Sequence, residues 1–434
     1  MLIDVPVVSL PRVVIVGGGF AGIQLVKHLH GKFQVVLIDK TNFHTFQPLL
    51  YQVATAGIEP DSIVFPLRKL FKGYRHFHFR MATATGIKRN EKTLCTSIGD
   101  IRYDYLVIAA GSDTNYFGME KLMANSMPMK SVSEALDLRS CILQNFEKAL
   151  ITSDPGERER LMTYVIAGGG PTGVELAGAL AELKRHVLPK DYPELDFRQM
   201  EIHLVEGAPR VLAAMDKISS EKSQGFLEKL GVYVWTNMRV TDYDGKTVTA
   251  NGEKRFETST LIWAAGVSGN TLPGLDPKNA RRDGRIPVDE FCRVKETDSI
   301  FAVGDIAYME EQAWPSGHPM VAQVAIQMGK LAAENIIRSA QKKTMKAFAY
   351  KNKGSMATIG RNKAVAEIKN WKSQGFIAWM IWMFVHLMSI VGFRNRVVVL
   401  FNWVISYLNY DRGMRLIIRP FRSRKEQKEH GSNQ

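Results

Sequence analysis

The segment RVVIVGGGFAGIQLVKHL, residues 12–29, decides the fold. It begins with a β-branched run that does not alternate, the pattern of a strand buried on both faces of a parallel sheet. Gly17, Gly19 and Gly22 follow in GxGxxG spacing. Gly17 allows a sharp turn, Gly19 lets the backbone approach a diphosphate, and Gly22 lets the next helix lie close to the strand. Phe20 and Ala21 open that helix, whose unpaired N–H groups face the diphosphate. A second strand, QVVLID at 34–39, ends in Asp39, with Lys40 after it. Asp39 lies 17 residues beyond Gly22, near the spacing of about 20 for an acid that binds a ribose hydroxyl. GxGxxG alone is a weak signal. A strand before it, a helix after it and the acid in place make it strong.

The pattern then returns whole. MTYVIAGGGPTGVELAGALAEL, 162–183, repeats strand, glycine turn and helix, with Gly168, Gly170 and Gly173 spaced as before and Pro171 and Thr172 between them. MEIHLVEG, 200–207, again closes a strand with an acid, Glu206. YDYLVIAAG (103–111) and STLIWAAG (259–266) both run into Ala-Ala-Gly, placing Ala110 with Gly111 and Ala265 with Gly266. SIFAVGD, 299–305, supplies a late strand ending in Asp305. A whole supersecondary unit is duplicated. The predicted fold is α/β: two Rossmann-like dinucleotide-binding domains of the glutathione-reductase-like kind, the second inserted in the first, plus a C-terminal helical membrane-anchoring region. The expected divisions are 1–120 and 286–345 for the first domain, 121–285 for the second and 346–434 for the C-terminal region. Residues 74–105 read as a small antiparallel insert.

Two dinucleotide sites in one chain imply electron traffic between two dinucleotides. The simplest pairing is a resident flavin and an exchanging nicotinamide. An acid at the end of the late strand can reach a ribityl chain, so Asp305 assigns FAD to the first site. Glu206 accepts a ribose hydroxyl and repels a 2′-phosphate, which favours NADH over NADPH. Arg210 close by works against that preference.

A chain of 434 residues suggests two or three domains. Cys95, Cys141 and Cys292 are far apart with no CxxC or other close pair, which argues against a disulfide framework or a zinc ribbon. No CxxxxC follows the first unit, so a dithiol reductase is excluded too. His76 and His78 share a strand face without HExxH or a cysteine partner, and no metal is expected. The opening MLIDVPVVSLPR has no basic region before an apolar run, so no secretory signal is read there and the protein is expected on the cytoplasmic side.

The net charge is +14, and from Arg394 onward nine Lys/Arg stand against Asp411, Glu426 and Glu429. That excess adjoins the most apolar part of the chain, which points to an anionic lipid surface and not to nucleic acid. Residues 373–393 carry no formal charge over 21 positions, long enough for a spanning helix of about 20 residues. Ser373, Gln374, Gly375, His386, Ser389 and Gly392 shorten its apolar part. Trp371, Trp379, Trp382 and Trp403 suit helices lying in the membrane interface. Monotopic attachment ranks first, a homodimer interface is compatible with it, and a spanning helix ranks third.

AQVAIQ, 322–327, opens a helical run after Asp305. Gln323 and Gln327 share one helix face among apolar residues. Buried amides need partners, so either the protein satisfies them or something polar arrives.

With VVIVGGGFAG, FQPLLYQVA (46–54), YVIAGGGPTGVELAG (164–178), LIWAAGV (261–267), FAVGD and AQVAIQ in this order, the chain resembles the two-dinucleotide-binding-domain flavoproteins, and among them the type II NADH:quinone oxidoreductases. FQPLLYQVA and AQVAIQ discriminate most. The resemblance implies hydride transfer from NADH to FAD and two electrons onward to a membrane quinone; no transmembrane proton path is visible in the sequence, so electron transfer without proton pumping is expected. It implies a peripheral, monotopic enzyme on the cytoplasmic side of the cell inner membrane. Gln323 and Gln327 would meet the quinone carbonyls, with Ala322 beside the flavin. Leu50 and Gln52 are expected near the flavin ring. Glu175, read as lying in the first turn of its helix where the dipole favours an acid, would point towards the nicotinamide–flavin contact. A sulfide:quinone oxidoreductase is the alternative, but neither Cys141 nor Cys292 sits in a redox motif. A membrane-tethered nucleotide sensor without turnover is another, and the intact AQVAIQ argues against it.

Overall fold

The computed structural model describes residues 2–275, 281–409 and 413–421. Of the basic tail read from the sequence, Arg412, Arg422, Arg424, Lys425 and Lys428 lie outside the described residues, as do Asp411, Glu426 and Glu429. The chain divides into two compact units. The first holds Met1–Thr45, Phe65–Asp113 and Val267–Asn352; the second holds Phe46–Val64, Thr114–Gly266 and Lys353–Gln434. Compactness therefore groups FQPLLYQVA and the C-terminal region with the second glycine loop.

In the first unit a five-stranded sheet runs Ile300–Ala302, Tyr105–Ile108, Arg12–Val16, Gln34–Asp39, Phe77–Met81. Its neighbours are all parallel. Val13, Val14 and Ile15 are wholly buried, which explains why the sequence shows an unbroken β-branched run. Residues 84–102 form the small antiparallel insert as three strands. Helix Ala322–Ala340 packs on helix Phe20–Leu29, and Gly329 permits that approach: a Cβ there would stand 2.6 Å from the Ala21 carbonyl oxygen.

In the second unit the same arrangement recurs, in the order Met127–Pro128, Thr260–Trp263, Thr163–Ala167, Glu201–Val205, Tyr233–Trp235, again parallel throughout. Helix Pro171–His186 leaves its glycine turn and lies against strand Ser355–Gly360, where Gly178 sits directly on the Ile359 carbonyl. Residues 355–374 form an antiparallel three-stranded sheet.

The uncharged stretch 373–393 is broken by its glycines. Gly375 (φ +73°) ends strand Trp371–Gln374 and starts helix Phe376–Ser389; Gly392 (φ +93°) precedes helix Phe393–Asn409. Fourteen helical residues extend only about 21 Å against a hydrocarbon core of about 30 Å. No described helix is long and apolar enough to cross a membrane.

Candidate active site

The two glycine loops have one geometry. Gly17 adopts φ +104° and Gly168 φ +109°. A Cβ on Gly17 would strike the Ala109 carbonyl, and one on Gly168 would lie 2.6 Å from the Ala264 carbonyl oxygen. Gly22 and Gly173 press on the carbonyls of Gly17 and Gly168. The middle glycines, Gly19 and Gly170, meet nothing within 4 Å in the Cβ direction. Each is the N-cap of its helix, with no capping side chain and no acid in the first turn. Both loops thus keep open approach at the middle glycine and a helix start that no side chain caps where a diphosphate would lie, and they fit a dinucleotide. Phe20 starts the first helix with its ring edge-on to His44 at 5.1 Å, and Pro171 and Thr172 are exposed at the start of the second. Lys40 is exposed beyond Asp39.

The two acids share a task the sequence did not show. Asp39 Oδ2 accepts the Gly18 amide at 2.6 Å while Oδ1 accepts the Thr41 amide at 2.7 Å. Glu206 Oε2 accepts the Gly169 amide and Oε1 the Ala208 amide at 2.6 Å. Each carboxylate fixes its glycine loop and still has lone pairs for a ribose. His44 braces the first loop from the other side, its Nδ1 lying 3.1 Å from the Gly18 carbonyl oxygen; burial holds its pKa down at about 4.

Asp305 stands in the first unit with its Oδ2 accepting the Ser112 hydroxyl at 2.6 Å. Gly304 (φ +75°) makes room, since a Cβ there would lie 3.1 Å from the Ala325 Cβ and 3.8 Å from the Ala21 Cβ. Asp305 and the first turn of helix Ala322–Ala340 therefore gather beside the first loop. Asn270 holds the Ala110–Gly111 turn, donating from Nδ2 to the Ala110 carbonyl and from its backbone to that of Gly111, both at 3.1 Å.

The glutamines of AQVAIQ are half-buried and flank the apolar face that buries Val324, Ala325 and Met328. Gln327 is met by the protein itself. Its Nε2 donates to the Lys351 carbonyl and its Oε1 accepts the Lys351 amide, both at 3.0 Å. Asn335, two turns on, makes the same pair with Lys346, at 2.9 and 2.8 Å. The extended segment 346–351 is stitched to the helix by two side-chain amides acting like peptide groups.

Glu175 corrects its sequence reading. It is the fifth residue of helix Pro171–His186, whose first turn holds no acid. It is buried, and its Oε1 accepts the Thr358 amide at 3.3 Å and the Trp382 Nε1–H at 3.2 Å. Burial pushes its pKa up to about 8, against the lowering effect of those two donors. It lines a cleft of the second unit with about 830 Å³ of space, including the part open to solvent. Thr358, Arg361, Trp382, Trp403 and Tyr407 share that lining with Tyr51 and Gln52. Gln52 thus joins Glu175 in the lining of one cleft, while Leu50 is buried in protein. Trp382 and Trp403, read as interface residues, are 2% and 9% exposed and face inward. Sequence reasoning missed Thr358 and the inward tryptophans. The helical spacing of Ala378 and Trp382, opposite Phe376, Met380 and Phe384, was the available signal.

Residues 11–329 match the family model for pyridine nucleotide-disulphide oxidoreductases, and residues 352–410 match that for the NDH2 C-terminal domain. A Mycobacterium tuberculosis protein named type II NADH:quinone oxidoreductase NdhA is 37% identical over 94% of this chain and 89% of its own length. The chain belongs to the type II NADH:quinone oxidoreductase family. A second member, from Haemophilus influenzae, is 30% identical over 83% of this chain and 88% of its own. The structure of NDH2 from Plasmodium falciparum in complex with NADH superposes with a TM-score of 0.86 at 21% identity, covering 94% of this chain and all of that one. The sulfide:quinone oxidoreductase of Aquifex aeolicus superposes with 0.70 at 18% identity, over 89% and 92%. At those identities both show the fold alone, the pyridine nucleotide-disulphide oxidoreductase fold that type II family members share.

Proposed function

We propose that this chain is a flavin-dependent NADH:quinone oxidoreductase attached to one face of a membrane, moving two electrons from NADH through FAD to a membrane quinone without pumping protons. The observation that carries the reading is the duplicated glycine loop, each copy open at its middle glycine and held by its own acid.

FAD is assigned to the first loop: Gly17, Gly19, Phe20, Ala21 and Gly22 at the diphosphate, Asp39 and Lys40 at the ribose, Ala110 and Gly111 beside them, and Asp305 with Ala322 near the ribityl chain. Leu50 and Gln52 remain assigned near the flavin ring, with Gln52 on the side that the quinone would approach. NADH is assigned to the second: Gly168, Gly170, Pro171, Thr172 and Gly173 at the diphosphate, Glu206 at the ribose, Ala265 and Gly266 beside them. The flavin, when bound, supplies hydride acceptance and stepwise electron donation. The protein's part is to bind, orient and exclude water. Gln323 and Gln327 are assigned to the quinone, with Gln327 using the Nε2–H that Lys351 leaves over. Glu175 holds a proton near neutral pH and suits proton supply to the reduced acceptor.

Membrane attachment is read from helices Phe376–Ser389 and Phe393–Asn409. Phe376, Ile377, Met380 and Phe384 on the first, and Phe401, Val404, Ile405 and Leu408 on the second, are exposed. Such an apolar surface beside Arg394 and Arg396 suits an anionic bilayer face or, in part, a homodimer contact. The cytoplasmic face of the inner membrane is the assigned location.

The test is oxidation of NADH and, separately, NADPH by detergent-purified protein with a soluble quinone. Quinone-dependent oxidation that strongly prefers NADH is expected. Flavin that stays oxidised under NADH sinks the reading and moves sulfide forward as donor.

A further inference from the structure

The two helices with exposed apolar faces each bury one tryptophan, Trp382 and Trp403, and both indoles reach the Glu175 cleft, which the half-buried Trp379 also lines. The rings of Trp382 and Trp403 lie 5.8 Å apart. Trp382 donates its Nε1–H to Glu175, and Trp403 donates its own to Gln52 Oε1 at 2.8 Å. Gln52 Nε2 passes on to the Tyr51 hydroxyl at 2.8 Å, and the Tyr51 ring meets Trp382 edge-on at 6.4 Å. An indole has one donor and no acceptor, so each N–H is committed to a single cleft residue. Behind Trp382, His386 stacks at 4.1 Å and its Nδ1 lies 2.8 Å from the Trp382 carbonyl oxygen, which fixes the ring's plane.

We infer that Trp382 and Trp403 are positioning residues for the quinone half of the reaction, Trp382 holding the Glu175 carboxyl and Trp403 the Gln52 amide in the lining of one cleft. The inference rests on the functional reading given above. It makes the C-terminal helices part of the active cleft as well as its attachment.

The charged and titratable groups facing Glu175 are few. Its own helix brings Glu182, which accepts the Arg361 amide. The sheet side brings Arg361, whose guanidinium lies 3.8 Å over the Tyr407 ring. Tyr51 and Tyr407 line the cleft, and His386 stands behind Trp382, kept neutral by burial. None of these makes a hydrogen bond to Glu175, so its bond from the indole is the contact that substitution can isolate.

The experiment titrates the protonated-carboxyl infrared band of Glu175 in the holoenzyme, identified by its loss in Glu175→Gln. Trp382→Phe keeps an aromatic ring and removes the donor. Because the indole N–H favours the charged carboxylate, its loss moves the midpoint upward, by about half to one pH unit. Trp403→Phe leaves that midpoint in place and raises KM for a soluble quinone roughly fivefold, with KM for NADH unchanged. A Trp382→Phe midpoint equal to wild type overturns the inference, as does Trp403→Phe with wild-type KM for quinone. Should Trp382→Phe fail to fold, the Trp403→Phe result decides. Failure of the underlying reading looks different: wild-type protein then shows no quinone-dependent NADH oxidation at all.

Discussion

Gln327 and Lys351 exchange two hydrogen bonds of 3.0 Å, side chain to backbone in both directions. A glutamine of AQVAIQ is therefore a structural clasp, whatever it also meets. Gln327→Ala loses both bonds at a half-buried site, so a loss of about 1–2 kcal/mol is expected. Urea unfolding measures it. Amide exchange at Lys351 will quicken in the same variant, while exchange at Lys346, held by Asn335, changes little.

The paired glycines separate space for protein from space for ligand. Gly173→Ala drives a methyl into the Gly168 carbonyl and will cost about 1–3 kcal/mol in stability. Gly170→Ala meets nothing in the protein, so its melting temperature will stay at wild type. Its NADH affinity will fall by about 1.4 kcal/mol, tenfold in KM. Thermal melts and steady-state kinetics on the two variants check both halves.

Glu206→Gln removes the charge to which the preference for NADH is assigned and keeps one acceptor for the loop amides. The ratio of kcat/KM for NADH over NADPH will narrow by about 1–2 kcal/mol, roughly five- to thirtyfold.

The Glu175 carboxyl, ordinarily near 4.5, is pushed up to about 8 by burial. The folded protein holds a proton that the unfolded chain releases near 4.5. Its stabilising contribution is full below that pH and is lost as pH rises towards 8. Unfolding free energy will therefore fall between pH 5 and 8 in wild type, and this part of the slope will vanish in Glu175→Gln. Denaturant titrations at several pH values compare the two.

The glycine loops, both acids and the nested sheets were legible because local requirements dictate them: a sharp turn, a close approach, a buried parallel strand. Trp382 was misread because tryptophan suits both an interface and a cleft, and only its burial and its bond to Glu175 select between them. Gln327 was half-read. The helical face was visible, but its partner lies in 346–351, an extended segment with no periodicity to announce where it runs. Glu175 was placed a turn too early because helix starts read from sequence shift by a residue or two, and here Pro171 sets the count.

The bond from Glu206 to the Gly169 amide has a consequence for evolutionary change in cofactor choice. The atom that would select one nicotinamide over the other also serves as the keystone of its loop. A lineage that replaced Glu206 with a small neutral residue would loosen the loop in the same step, so a switch in preference has to travel with a second substitution that re-anchors Gly169 and Ala208. Asp39 anchors Gly18 and Thr41 in the same way, so a small neutral residue there would loosen the first loop too.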